Sequence, residues 1–289
     1  VNTGCEDMFK LIDHEGRILV LRPDSTAPIA RLVSTRLKES CRPIRLFYNQ
    51  RVYLQKGMYS GRRSETAQMG IELIGSNTTI ADLEVISLAA EALKRSWGQD
   101  FRLEIGHSGF FEILVNRLNL EEGQKEQLRQ LIDAKNFAAL NDILDKYSNH
   151  EAAEALKQLP HLFGRAEVFA LARDIFKDEE TKALLDYLHW LYEALLQLGL
   201  KDSVMLDLGF VNRNNYYTGV IFQGYVQGSG EVVLSGGRYD QLLGQFGPAS
   251  PAIGFGIDID ILTKKRLEQG LEKKAALPKV LVFGEPGYE

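Results

Sequence analysis

VNRNNYYTGVIFQGYVQGSGEVVLSGGRYD, residues 211–240, is the stretch whose reading decides this chain. Two adjacent tyrosines, Tyr216 and Tyr217, precede a Thr-Gly turn. Two runs with strand character follow, YTGVIFQGYV (217–226) and EVVLSGG (231–237), separated by a Gly/Ser turn. The second run ends on Gly236 and Gly237, which lack a Cβ and let a ligand come close to the backbone. Aromatic walls, accessible backbone and a few polar groups suit a small polar molecule.

Outward from this stretch the chain alternates between strand-rich and helix-rich zones. MFKLID and RILVLR read as short strands around HEGR, and Asp24, Ser25 or Thr26 then caps the helix STAPIARLVSTRL. IRLFYNQRVYL (44–54) and ETAQMGIELIG (65–75) form a longer hairpin, followed by the helix TIADLEVISLAAEALKRSW and the strand FRLEIGH (101–107). Residues 110–200 are almost wholly helical in pattern. Strand patterns return at VMLDLGF (204–210) and in the opening stretch. GQFGPASPAIGFG reads as a Gly/Pro-rich loop leading to the helix IDIDILTKKRLEQG. The division expected is a split core, 1–109 and 201–266, a helical insertion, 110–200, and a tail, 267–289, whose strand KVLVFGE opens a truncated C-terminal domain. Hairpins, then helices, then hairpins predict an α+β fold with a largely antiparallel sheet. The glycine loops of P-loop and dinucleotide folds are missing.

Composition narrows the function classes. The 289 residues are 45% hydrophobic and 25% charged, with a net charge of −5, which is ordinary for a globular protein and gives no basic footprint for nucleic acid. Cys5 and Cys41 lie far apart and read as reduced thiols of a cytoplasmic protein. No run of 18 apolar residues predicts a membrane span. Val1 is not an initiator, so a native N-terminal segment is expected to precede it. The five histidines show no metal spacing and read as structural or exposed.

Five segments carry a resemblance. LRPDSTAPIAR (21–31), GRRSETAQMGIELIG (61–75), NNYYTGVIF (214–222), SGGRYDQLLG (235–244) and AIGFGIDIDIL (252–262) resemble the catalytic domain of histidyl-tRNA synthetase, a class II aminoacyl-tRNA synthetase. MFKLIDHEGRILVLRPDSTAPIARLVS and QMGIELIG are most similar to the synthetase-like regulatory subunits of ATP phosphoribosyltransferase. The resemblance covers about 1–109 and 201–266. It implies the class II antiparallel sheet flanked by helices.

It also implies a split in the site. Asp24 and Thr26 match the ammonium-side pair, with aspartate for the usual glutamate. Gln68 and Glu72 match the histidine-binding strand, where they alternate with Gly70 and so face one side. Tyr216 and Tyr217 match the ring-contacting tyrosines, and Gly236 and Gly237 the close backbone beside them; Arg238 reads as structural. Taken singly, these are a helix cap, a solvated strand face, a sheet pair and a turn. Their joint order along the chain makes them a histidine pocket. The ATP-site positions depart from the synthetase pattern. An arginine and a glutamate fall on Leu54 and Lys56. A three-residue shift recovers Arg51 but puts Tyr53 at the glutamate. The histidine-specific arginine falls on Asn212, the third-motif arginine on Ile261 and the glycine before it on Asp258. Arg62 remains, but one arginine does not clamp a triphosphate.

The expectation is a non-catalytic regulatory subunit with histidine as ligand and no cofactor or metal. Its implied partner is the short-form catalytic subunit of ATP phosphoribosyltransferase, around a homodimer within a hetero-oligomer, without tRNA or membrane. The alternatives are a histidyl-tRNA synthetase with a divergent ATP site and a free-standing histidine-binding module.

Overall fold

The structure, a computed structural model, describes residues 8–55, 63–211 and 216–271. Arg62, Lys56, Asn212, Cys5 and the strand expected at 279–285 lie outside the described residues. In chain order the elements are β1 (Lys10–Ile12), β2 (Ile18–Val20), α1 (Thr26–Thr35), β3 (Ile44–Tyr53), β4 (Glu65–Ile74), α2 (Thr79–Trp97) and β5 (Phe101–His107). The helices α3 (Ser108–Arg117), α4 (Glu122–Asp133), α5 (Phe137–Leu144) and α6 (Glu151–Gln158) follow, then β6 (Phe163–Gly164), α7 (Glu167–Ile175) and α8 (Glu179–Leu195). The chain returns through β7 (Val204–Asp207), β8 (Val220–Val226), β9 (Leu234–Arg238) and β10 (Ala252–Asp258) to α9 (Ile259–Glu268).

Eight strands form one sheet in the order β3-β4-β10-β9-β8-β5-β7-β6. Every pairing is antiparallel except β5 with β7. The α+β class and largely antiparallel sheet follow the sequence expectation. Two elements do not. Ala252–Asp258, expected within a loop, is a central strand between β4 and β9. Its alternating glycines lower strand propensity, but they sit where neighbouring side chains occupy the space a Cβ would need: a Cβ on Gly254 would lie 1.8 Å from Oε2 of Glu72. Within the segment expected to be almost wholly helical, Phe163–Gly164 adds a short strand to the edge of the sheet.

The two faces of the sheet are covered differently. On one, α2 buries Val85, Ile86, Ala89, Ala90, Leu93 and Trp97, spaced as one helical face. Its start is capped by Thr78, whose side chain accepts from the Ala81 amide, and its end reaches Gly98 at φ 116°, a conformation glycine tolerates. The core under α2 is continuous with that of α3–α8, so Leu103 and Phe222 of the sheet and Leu128, Leu156 and Leu188 of the helices belong to one cluster. On the other face a smaller cluster gathers Ile29, Ala30 and Val33 of α1 with Tyr48, Ile74, Tyr239, Leu242 and Ala252. Beside that cluster the face stays open, and the site lies there.

Candidate functional site

A cavity of about 240 Å³ opens on the α1 face of the sheet. Its lining draws on α1 and the turn before it (Asp24, Thr26), β3 and its end (Tyr48, Val52, Leu54), β4 (Thr66, Gln68), the tyrosine pair Tyr216 and Tyr217, and β9 and β10 with the residue after β9 (Ser235, Tyr239, Gly254, Asp258). Strand register explains the gathering. Tyr48 pairs with Gly70, Gly70 with Gly256 and Gly256 with Ser235, so one row of residues on a single face crosses four strands.

Asp24, Thr26, Gln68, Tyr216 and Tyr217, scattered over nearly two hundred positions, are thus brought to one cavity. Asp24 is half-buried, and its Oδ1 accepts from the Ala27 amide at 2.9 Å; it supplies the helix-start bond that the N-cap residue Ser25 does not. Burial pushes its carboxyl above the usual carboxylate range. Gln68 Oε1 accepts from the Tyr48 hydroxyl at 3.2 Å. The rings of Tyr216 and Tyr217 are 4.8 Å apart, and Tyr216 meets Tyr239 edge-on at 5.9 Å.

Three expected site residues sit elsewhere. Glu72 shares the face of Gln68, as alternation requires, but does not line the cavity. It lies beneath it, 1% exposed. Its Oε1 accepts from Thr26 Oγ1 at 2.8 Å and its Oε2 from the Tyr239 hydroxyl in a short hydrogen bond. Burial pushes this carboxyl up to about 7, opposed by those two hydrogen bonds. Gly236 faces the opposite side, against Phe222 and Phe255 in the main core, because it is one residue out of phase with Ser235. Gly237 returns to the cavity side but lies under the ring of Tyr217, where a Cβ would come within 2.7 Å of that ring. It seats the tyrosine rather than lining the cavity.

The ATP-site positions are apolar or acidic where described. Leu54 lines the cavity. Ile261 packs partly buried against the main core. Asp258 lines the cavity, and its Oδ1 accepts from the Ile261 amide at 2.9 Å. Arg51 is out of phase with Tyr48 and Val52, and its guanidinium pairs with Glu65 at 2.5 Å on the exposed surface. The lining thus holds two aspartates and four tyrosines but no lysine, arginine or histidine among the described residues. No group of three His, Cys, Asp or Glu side chains is arranged for a metal among them either.

Tyr48, Tyr239 and Asp258 were not singled out from sequence as ligand-facing. Tyr239 was in view inside SGGRYD. Tyr48 became findable only once β3 was paired with β4 and a tyrosine fell opposite a glycine.

The histidyl-tRNA synthetase family matches residues 1–262. An ATP phosphoribosyltransferase regulatory subunit of Clostridium kluyveri is 42% identical over 96% of this chain and 72% of its own length. A crystal structure described as an ATP phosphoribosyltransferase regulatory subunit/histidyl-tRNA synthetase from Bacillus halodurans C has a TM-score of 0.80 at 38% identity, over 90% of this chain and 68% of that one. A histidine–tRNA ligase subunit from Alicyclobacillus acidocaldarius has a TM-score of 0.78 at 27% identity, over 94% and 83%. With a synthetase fold throughout and this degree of identity to regulatory subunits, the chain belongs to the ATP phosphoribosyltransferase regulatory subunit family, within the wider histidyl-tRNA synthetase family.

Proposed function

We propose that this chain binds histidine in the cavity without activating it, and that occupancy adjusts the activity of a short-form ATP phosphoribosyltransferase catalytic subunit, the first step of histidine biosynthesis. The observation that carries this reading is the lining: carboxylates and tyrosines, with no cationic side chain among the described residues. An ammonium group and ring N–H groups find acceptors there. A triphosphate finds two aspartates and an apolar wall instead of the planar cations that phosphoryl transfer requires.

The regulation is linkage. Histidine shifts the catalytic subunit only by its affinity difference between two arrangements of the assembly, typically ~1–3 kcal/mol. The homodimer implied by the class II resemblance would bury exposed apolar side chains, and the chain offers Ile12 and Ile18 of the β1–β2 ribbon, 78% and 72% exposed, and Phe47 of β3, 82% exposed.

The test is calorimetric titration of the purified chain with histidine and then with ATP, followed by assay of the catalytic subunit with and without it. Histidine heat, no ATP heat and a histidine-dependent change in the partner's rate are expected. Histidine-dependent ATP–pyrophosphate exchange at synthetase rates would replace this reading with a tRNA ligase. A chain that binds histidine but never associates with a phosphoribosyltransferase would be a free-standing sensor.

A further inference from the structure

We propose that the helical insertion, α3–α8, is the element that reads out occupancy of the cavity, through a joint where both of its ends meet the segment that follows the tyrosine pair. The proposal rests on the reading of the cavity as a histidine site and adds the route by which that site reaches the rest of the molecule.

The first link is a single carbonyl. Tyr217 lies over Gly237 on the cavity side, and the two residues after it are held from both directions. The Thr218 amide donates to the Arg238 carbonyl at 2.8 Å, and Thr218 Oγ1 accepts from the Asp240 amide at 3.0 Å. The Gly219 carbonyl accepts twice from Ser108, the first residue of α3, from its amide at 3.0 Å and its hydroxyl at 3.1 Å. Peptide groups are planar, so only a few backbone dihedrals separate the Tyr217 ring from that carbonyl.

The second link is a side chain. The stem of Arg238 packs on Gly219, where a Cβ would lie 3.0 Å from both its Cβ and its Cδ. Arg238 Nε donates to Asp82 Oδ1 at 2.8 Å, and Oδ2 of the same carboxylate accepts from the Tyr187 hydroxyl of α8 at 2.8 Å. Both members of the ion pair are buried, so displacing Arg238 strands a charge out of water. The cluster therefore shifts as a unit rather than loosening one bond at a time.

The two links converge. His107, just ahead of α3, accepts from the Gly109 amide with Nδ1 at 3.0 Å and meets the Tyr187 ring edge-on at 5.7 Å. Leu184 of α8 packs on Gly109, where a Cβ would fall 2.8 Å from its Cδ1. α3 and α8 are the first and last helices of the insertion, so α4–α7 are carried between two helices fastened at one place. A ligand that holds Tyr217 against Gly237 holds Gly219 and Arg238 with it, and so favours the arrangement in which both ends of the insertion are docked. The coupling is an affinity difference between docked and loosened insertion, and it acts equally in both directions.

The experiment is hydrogen exchange of the full chain, read by mass spectrometry with and without saturating histidine, for the unaltered protein, Tyr187→Phe and Ser108→Ala. Neither residue lines the cavity. Tyr187→Phe keeps the ring against His107 and loses the bond to Asp82; Ser108→Ala keeps the amide bond to Gly219 and loses that of the hydroxyl. In the unaltered protein histidine should slow exchange about tenfold in α3 and α8, as well as in α1 and β4 beside the cavity. In the variants α1 and β4 should stay slowed, while the effect on α3 and α8 falls to about threefold or less in at least one of them. Either variant carries the test if the other fails to fold. A joint that only supports the fold would speed exchange in the insertion equally with and without histidine. An undiminished histidine effect on α3 and α8 in every variant that folds overturns the proposal, as does slowing confined to α1 and β4 in the unaltered protein, and both leave the histidine reading intact. No slowing anywhere, together with no heat on titration with histidine, overturns both.

Discussion

The guanidinium of Arg238, the residue before the cavity tyrosine Tyr239, lies 2.6 Å from the carboxylate of Asp82 in α2, on the far face of the sheet. The same carboxylate accepts from the Tyr187 hydroxyl of α8 at 2.8 Å, and Arg238 also reaches the Ser76 carbonyl and Asp240. Residues 238 and 239 thus point in opposite directions. One ties the sheet to α2 and α8, and the other reaches the floor of the cavity.

Arg238 is buried, so Arg238→Ala strands a buried Asp82 charge. Breaking such a pair from one side costs about 3–5 kcal/mol. Urea unfolding followed by circular dichroism should show a loss of this size, and a loss below about 1 kcal/mol would mean the pair contributes no more than an exposed one.

Glu72 makes stability depend on pH with a definite sign. Its carboxyl is raised from 4.5 when unfolded to about 7 when folded, so its contribution is complete below 4.5 and is lost as pH rises through 7. Between those values the loss is about 1.4 kcal/mol per pH unit. Unfolding of the unaltered protein and Glu72→Gln at pH 5, 6, 7 and 8 should diverge accordingly, with the variant gaining relative stability at high pH. Parallel curves would show that the two hydrogen bonds hold the carboxylate ionised throughout.

Asp24→Asn separates two roles of one side chain. Asparagine still accepts from the Ala27 amide, so the start of α1 should survive with a stability change under about 0.5 kcal/mol. The cavity loses a negative charge, and histidine should bind more weakly by about 1–3 kcal/mol. Calorimetry beside a thermal melt reads both; equal losses in the two would assign Asp24 to the helix alone.

Gly237→Ala should push the Tyr217 ring off its seat, since the new methyl falls 2.7 Å from it. Roughly tenfold weaker histidine binding is expected, about 1.4 kcal/mol. Gly236→Ala strikes Phe222 and Phe255 instead and should cost stability. If the two variants behave alike, the assignment of the two glycines to opposite faces is wrong.

Local pattern was enough for most elements and for the class. α2 and β5 fall on the residues expected, because a helical stripe of apolar side chains and a short apolar run bounded by turns are properties of neighbours in the chain. The order of RPDST, QMGIE, NYYTG and GGRYD pointed to a histidine pocket, and Asp24, Thr26, Gln68, Tyr216 and Tyr217 do share one cavity. Depth and register were not legible. Alternation says that Gln68 and Glu72 share a face, but only the packing of α1 and Tyr239 over β4 decides that Gln68 meets the cavity while Glu72 lies beneath it. Phase alone separates Gly236 from Gly237, and β10 hid behind glycines whose purpose lies on the neighbouring strand. What sequence determined are interactions between residues close along the chain; which polar group is exposed to a ligand and which is sealed under it is set by contacts between elements far apart in sequence, and those exist only once the sheet is assembled.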